Sequence, residues 1–248
     1  MDQKRFLTIA LLVAAILTVS ACNVGVRVIQ GSGDVITEDR QVTNFDRIAL
    51  EGSGEVIITQ GGSESLTVET DDNVMEYVKS EVEGGTLTLG LVTGIPTGVN
   101  VQSTTRLIFY VGVDDLTGLS ISGSGDIEAK TIETERLDAS ISGSGNVRIS
   151  NLAAGEVSAD VSGSGEVDLF GGEAAEQDVS ISGSGKYLAG DLCGAMVKVS
   201  LSGSGEATVC ATDTLDADIS GSGDVNYYGH PSINISGSGS GQLNNLGE

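Results

Sequence analysis

Serines, carboxylates and one histidine are the side chains of this sequence that could act on a substrate, and their spacing limits the chemistry open to them. Serine recurs in Ser-Gly-Ser-Gly units whose first glycines fall at Gly123, Gly143, Gly163, Gly183, Gly203, Gly221 and Gly237. A nucleophile elbow needs serine two residues after one glycine and two before another, a pattern these units lack. A phosphate loop needs a following Gly-Lys-Ser and a helix. Here the units are followed by Asp126, Asn146, Glu166, Lys186, Glu206 and Asp224. His230 is the single histidine and sits beside Pro231. A multi-histidine metal site is therefore unavailable, and a Ser-His-Asp set could be built only through that one residue. No catalytic residue, cofactor site or metal site is assigned.

Carboxylates are too common to be diagnostic. The chain carries 35 Asp and Glu against 12 Lys and Arg, a net charge of −23. Two carboxyl groups roughly 5 to 9 Å apart, as glycoside hydrolysis requires, would arise in such a chain by accident. The cations Arg27, Arg40, Arg47, Lys79, Arg106, Lys130, Arg136, Arg148, Lys186 and Lys198 are scattered, so no basic cluster awaits an acidic polysaccharide. Nucleic acid is excluded as a partner, because binding it rests on Lys and Arg displacing counterions from phosphates. The residues after the corners should stack into a column in which Lys186 interrupts the acids. A second column places Arg148 between Glu128 and Asp168. Calcium held between rungs is one reading of these columns. Alternation of charge between side chains about 4.8 Å apart is the favoured one.

The elements that must position these side chains follow from the repeat. Successive corners are 20, 20, 20, 20, 18 and 16 residues apart, and related Gly-Ser-Gly units occur at Gly31 and Gly52. Apolar residues alternate before each corner, as in Leu137, Ala139 and Ile141, then Val157, Ala159 and Val161, then Val197, Val199 and Leu201, then Leu215, Ala217 and Ile219. Alternation resumes after the corner at Val147 and Ile149, Val167 and Leu169, and Ala207 and Val209. Period two is the mark of a strand with one buried face. Equivalent residues one repeat apart stack most economically as a parallel ladder. The expected fold is all-β, a parallel β-helix or solenoid with rungs of about 20 residues. Glycine supplies the positive φ of a tight corner, and serine can bond neighbouring backbone. Ser124, Ser144, Ser164, Ser184 and Ser204 are expected to form a hydroxyl column.

Residues 31–118 are read as less regular rungs and 119–248 as regular ones, within one solenoid. Strand-like stretches Val56–Thr59, Leu66–Val68, Leu87–Leu89 and Leu107–Tyr110 are separated by Gly, Asp, Asn or Pro. Met75, Val78 and Val82 stand at helical spacing, so Asp72 to Val82 is expected to form a short helix. Pro96 marks a loop. Cys193 and Cys210 are 17 apart, close to one rung. The remaining offset of three residues is about 10 Å of strand, longer than a disulfide spans unless a corner intervenes. A disulfide and two part-buried thiols both remain open.

The chain begins with Lys4 and Arg5 ahead of an apolar run from Phe6 to Val19, then Ser20-Ala21-Cys22. The run is shorter than the roughly 20 residues that span a bilayer, and small residues precede the cysteine, so residues 1–21 read as a signal peptide. The ending resembles the lipobox of bacterial lipoproteins, which implies lipid attachment at Cys22, with residues 22–30 as a tether. Several acyl chains make a stable anchor where one does not. Loss of residues 1–21 removes Asp2, Lys4 and Arg5 and takes the charge from −23 to −24. Asn23 in place of aspartate points, by the same resemblance, to the outer membrane.

The ordered series Gly31-Ser32-Gly33-Asp34-Val35, Phe45-Asp46-Arg47-Ile48, Gly52-Ser53-Gly54-Glu55-Val56, Asp71-Asp72-Asn73 and Gly85-Thr86-Leu87-Thr88-Leu89, followed by the Ser-Gly-Ser-Gly corners, resembles the putative auto-transporter adhesin, head GIN domain family. The resemblance implies a right-handed, single-stranded parallel β-helix shaped like pectin lyases, without an established catalytic site, and a role in adhesion. The expected function is a non-enzymatic, lipid-anchored envelope protein that presents a rigid polar ladder to a glycan or protein ligand. The alternatives are a carbohydrate-active β-helix working through carboxylates and a periplasmic scaffold without external ligand. Gly237 to Gly241 extends the corner motif, leaving Leu243 and Leu246 to cover the last rung. An open ladder edge invites pairing, so self-association through that end is expected.

Overall fold

The computed structural model describes residues 27–92, 99–102 and 107–247. Most of the chain from Gly118 onward forms one parallel ladder in which rungs stack in register. Strand Ile132–Gly143 lies on Leu152–Gly163, which lies on Gly172–Gly183, with partners 20 residues apart such as Ile141, Val161 and Ile181. The short strands beyond the corners stack likewise, Asp126–Ala129 on Asn146–Ile149 on Glu166–Leu169. The register of the long strands omits Glu135 and Gly155, and burial breaks its alternation there, so the strand turns to a new face within the rung. All the alternating apolar residues named from the repeat are buried. Each such Val, Ile or Leu contributes roughly 1.5–3 kcal/mol of burial, repeated along the axis rather than gathered at one centre.

The two glycines of a corner serve different needs. The first, from Gly123 through Gly221, has φ between 124° and 140°, a region that L side chains rarely enter. The second has ordinary φ but no room: a Cβ on Gly165 would lie 2.5 Å from the Gly145 carbonyl oxygen and 2.6 Å from Ile141 Cγ2. The serine between them donates its backbone N–H to the glycine carbonyl of the previous rung, Ser164 to Gly143 and Ser184 to Gly163, each at 2.8 Å. The column is thus held chiefly by backbone. A hydroxyl–hydroxyl bond joins Ser240 to Ser222 at 3.2 Å. In the last corner the stacking glycine is Gly239 on Gly221, so the true final spacing is 18, and Gly237 occupies the inward place held by Ile219 one rung earlier.

The rungs do not follow chain order at the first end. Thr86–Leu91 and Ile108–Val113 are the last strands of the parallel ladder there and pair with Arg47–Gly52 and Glu55–Gln60. These in turn pair with Gly118–Gly123 and Asp126–Ala129. Antiparallel strands close that end: Ser65–Asp71 on Ile108–Val113, Val35–Arg40 on Ser65–Asp71, and Val78–Glu83 on Thr86–Leu91. The described residues between 31 and 118 therefore form a mixed cap and not simply irregular rungs. The last pair is a hairpin whose two-residue loop, Gly84-Gly85, has φ of 57° and 81°, the geometry that suits the strand twist. The helix expected over Asp72 to Val82 reduces to the 3-10 turn Met75–Tyr77. Val78 and Val82 instead belong to that hairpin, and the Arg40 guanidinium donates to the Met75 and Val78 carbonyls at 3.2 and 2.7 Å. Arg27–Gln30 and Val99–Gln102 form a separate parallel pair. Cys22 and Pro96 lie outside the described residues. No described helix is long and apolar enough to cross a membrane.

Candidate interaction surface

Stacking converts each outward position of the repeat into a column of side chains. The column after the corners runs Glu55, Asp126, Asn146, Glu166, Lys186, Glu206 and Asp224, one residue per rung. Asn146 Nδ2 donates to Asp126 Oδ1 at 2.7 Å. In the neighbouring column Arg148 lies 3.7 Å from Glu128 and 3.3 Å from Asp168. Opposite charges therefore alternate in the Arg148 column, while in the column after the corners an amide relieves Asp126. Among the described residues no three His, Cys, Asp or Glu gather as metal ligands.

The broad face carries two further columns. One runs Asp138, Ser158, Asp178, Lys198, Asp216 and Asn234, with Lys198 Nζ 3.3 Å from Asp178. The other runs Ser120, Ser140, Asp160, Ser180, Ser200, Asp218 and Ser236. Surface depressions on this face are lined by Glu156, Glu176, Met196, Lys198 and Asp216, and by Lys198, Ser200, Asp218 and Asn234. At its border Arg136 bonds Asp138 at 2.8 Å and also reaches Glu156, and the bond to Asp138 holds its guanidinium further toward the charged form. The arrangement is a flat, repeating array of carboxylates, hydroxyls and amides on a stiff backbone. It can offer many weak polar contacts at a fixed spacing. His230 is exposed near the last rung and does not enter this face.

The structure decides one alternative left open by the sequence and adds two features that the sequence did not suggest. Cys193 and Cys210 form a disulfide with Cα atoms 4.4 Å apart. The ladder passes from Ala189 opposite Val209 to Cys193 opposite Cys210, so Gly190, Asp191 and Leu192 are taken up as a bulge that absorbs the offset of three. Beside it lies a polar network sealed in the solenoid. The Tyr187 hydroxyl donates to Gln177 Oε1 at 2.9 Å, and Gln177 Nε2 donates to the Leu192 carbonyl at 2.7 Å. Finally, two motifs noticed separately in the sequence clasp each other: Ser32 N–H donates to Asn73 Oδ1 at 3.0 Å and Gly33 N–H to the buried Asp71 carboxylate at 2.9 Å. An Asx pair closing on a glycine turn is the signal that could have suggested this.

The network gives a prediction. Tyr187→Phe strands the buried Gln177 oxygen and should cost about 1–2 kcal/mol in urea unfolding. Burial raises the Tyr187 phenol well above its ordinary 10.0. The unfolded phenol ionises first, so its contribution is intact below pH 10 and is lost as pH rises beyond that. The native chain should therefore lose more stability than Tyr187→Phe between about pH 10 and 11. Parallel loss in both would refute this role.

The family model described as "Putative auto-transporter adhesin, head GIN domain" matches residues 44–231. Among solved structures, a putative adhesin from Bacteroides fragilis is 29% identical with TM-score 0.81, covering 88% of this chain and 100% of that one. A protein from Parabacteroides distasonis described as a putative lipid binding protein is 26% identical with TM-score 0.73, covering 89% and 100%. A putative adhesin from the same species is 25% identical with TM-score 0.72, covering 88% and 100%. No curated protein matches the chain.

Proposed function

Because the chain belongs to the putative auto-transporter adhesin, head GIN domain family, we propose that it is a non-enzymatic cell-envelope protein, lipid-anchored through Cys22, that displays its ladder face for adhesion. The observation that carries this reading is the in-register polar array, in which Asp, Ser and Asn repeat one per rung across the broad face. Such a surface favours many shallow contacts with a repetitive glycan or protein partner, where linked weak contacts gain affinity by multivalency. The Cys193–Cys210 disulfide supports an oxidising compartment beyond the inner membrane. The packed interior, with Val, Leu and Ile buried rung after rung, favours display over enclosure of a lipid. The lipid of this reading is the anchor itself.

Two measurements test the proposal in its native host. Radiolabelled palmitate should enter the protein and be lost in Cys22→Ser, with the protein moving from the membrane pellet to the soluble fraction. Protease added to intact cells should then degrade the native form. Resistance until lysis would defeat surface display in favour of a periplasmic scaffold, and labelling that persists in Cys22→Ser would defeat the anchor.

A further inference from the structure

The last rung differs from every earlier one in charge and in cover. Its strands, Ser232–Gly239 and Leu243–Gly247, pair inward with Thr214–Gly221 and with Val225–Tyr228, and their other edge has no strand upon it among the described residues. Ile233 and Ile235 stack on the buried Leu215 and Ala217 yet remain 46% and 56% exposed, and Leu246 is 48% exposed. These are core positions without a covering layer. The expectation from sequence had placed the apolar residues of this end at Leu243 and Leu246 alone.

Ser232–Gly247 also contains no Asp, Glu, Lys or Arg, the next charged side chain being Glu248, in a chain of net charge −23. Two bodies so acidic repel each other over most of their surfaces, and this charge-poor rung, followed only by Glu248, is where they can meet with the fewest like charges juxtaposed. The devices that ordinarily guard an edge, such as a lysine or a proline within the strand, are absent from it.

We propose that two copies of this chain associate end to end through this rung, with a two-fold axis through the Ser-Gly-Ser-Gly corner. One strand runs toward the corner and the other away from it. A two-fold there sets Ser232–Gly239 of one copy antiparallel to Leu243–Gly247 of the other, twice over, and both open ladders gain hydrogen bonds. Ile233 and Ile235 meet the partner's leucines. The interface is isologous and closed, so growth stops at two. A head-to-tail stack would instead set this apolar layer against the cap, whose outer strands Val35–Arg40 and Val78–Glu83 carry Glu38, Asp39, Arg40, Lys79, Glu81 and Glu83. Arg40 is paired with Glu38 and Lys79 with Glu51, and burying the acids left in excess there is costly.

The test is sedimentation of the chain from residue 22 onward, with Cys22→Ser so that no acyl chain adds association of its own. Mass should rise from one copy to two as concentration increases to about 100 µM, the micromolar range expected of a small interface. Ile235→Asp should weaken the dimer at least ~100-fold by burying a charge at its centre. Asn245→Lys should act likewise, and both should keep the native melting temperature at concentrations where the protein is monomeric. Phe170→Asp, an equally accessible site at 42% exposure away from this end, should leave the dimer intact. A native protein that stays monomeric at about 100 µM overturns the proposal. So does a dimer indifferent to both end variants, or assembly that continues past two.

Discussion

Gly183→Ala should lower stability by about 4 kcal/mol and the melting temperature by roughly 10 °C, while Gly61→Ala should cost only about 1 kcal/mol. Both glycines have positive φ, 124° and 97°, so conformational preference alone predicts similar losses. Their surroundings differ. A Cβ on Gly61 meets nothing within 4 Å, whereas one on Gly183 would lie 2.5 Å from the Gly163 carbonyl oxygen. That oxygen accepts the Ser184 N–H at 2.8 Å, so it cannot move aside without breaking the bond that joins the rungs. Gly165→Ala isolates the second cause, since its φ is ordinary and its obstruction is the Gly145 carbonyl at 2.5 Å. It should fall near Gly183→Ala. Each rung is stabilised mainly by its neighbours, so a fault at mid-length weakens two interfaces together. Thermal unfolding followed by circular dichroism decides the matter. Equal losses at Gly61 and Gly183 would show that backbone preference, and not the stacking distance, sets the need for glycine.

The same stacking explains what could be read in advance. Period-two apolar residues between evenly spaced corners permit few arrangements, and the in-register ladder and its charge columns were legible because each repeat states them again. The first end states its pairing once. Gly84-Gly85 is a hairpin signal, but Met75, Val78 and Val82 present a competing helical spacing across the same stretch, and only the pairing of Val78–Glu83 with Thr86–Leu91 decides between them. The order of rungs there depends on contacts between strands about 70 residues apart, such as Arg47 with Gly118, which no local pattern encodes. At the other end, consecutive Ser-Gly pairs from Ser236 to Gly241 allow two registers, and the stacking of Gly239 on Gly221 selects the later one. The broad face was foreseen as polar. Which residues share a column on it became definite only with the register.

The disulfide marks a place where the regular rung yields, and its loss should be nearly as costly as a corner substitution. Cys193 and Cys210 are 17 residues apart in sequence, a loop for which restricting the unfolded chain is worth about 3 kcal/mol. The linear offset left the pairing open, because the thiols would be too far apart only on an uninterrupted strand. In the fold, Gly190, Asp191 and Leu192 leave the ladder, Leu192 turns inward to full burial, and its carbonyl accepts the Gln177 amide. The bulge therefore has three supports: a buried leucine, a buried amide and a covalent bond to the next rung. Cys193→Ala with Cys210→Ala should lower the melting temperature by about 8 °C, and a reductant should do the same to the native protein and nothing further to the variant. Hydrogen exchange should rise at residues 190–194 and 210–213 while the rungs before Gly163 keep their protection, because contacts in a solenoid act between neighbours. If the double variant melts with the native protein and exchange at the bulge is unaltered, then Leu192 and Gln177 hold the irregular rung by themselves. The disulfide would then be a consequence of their geometry and not its support.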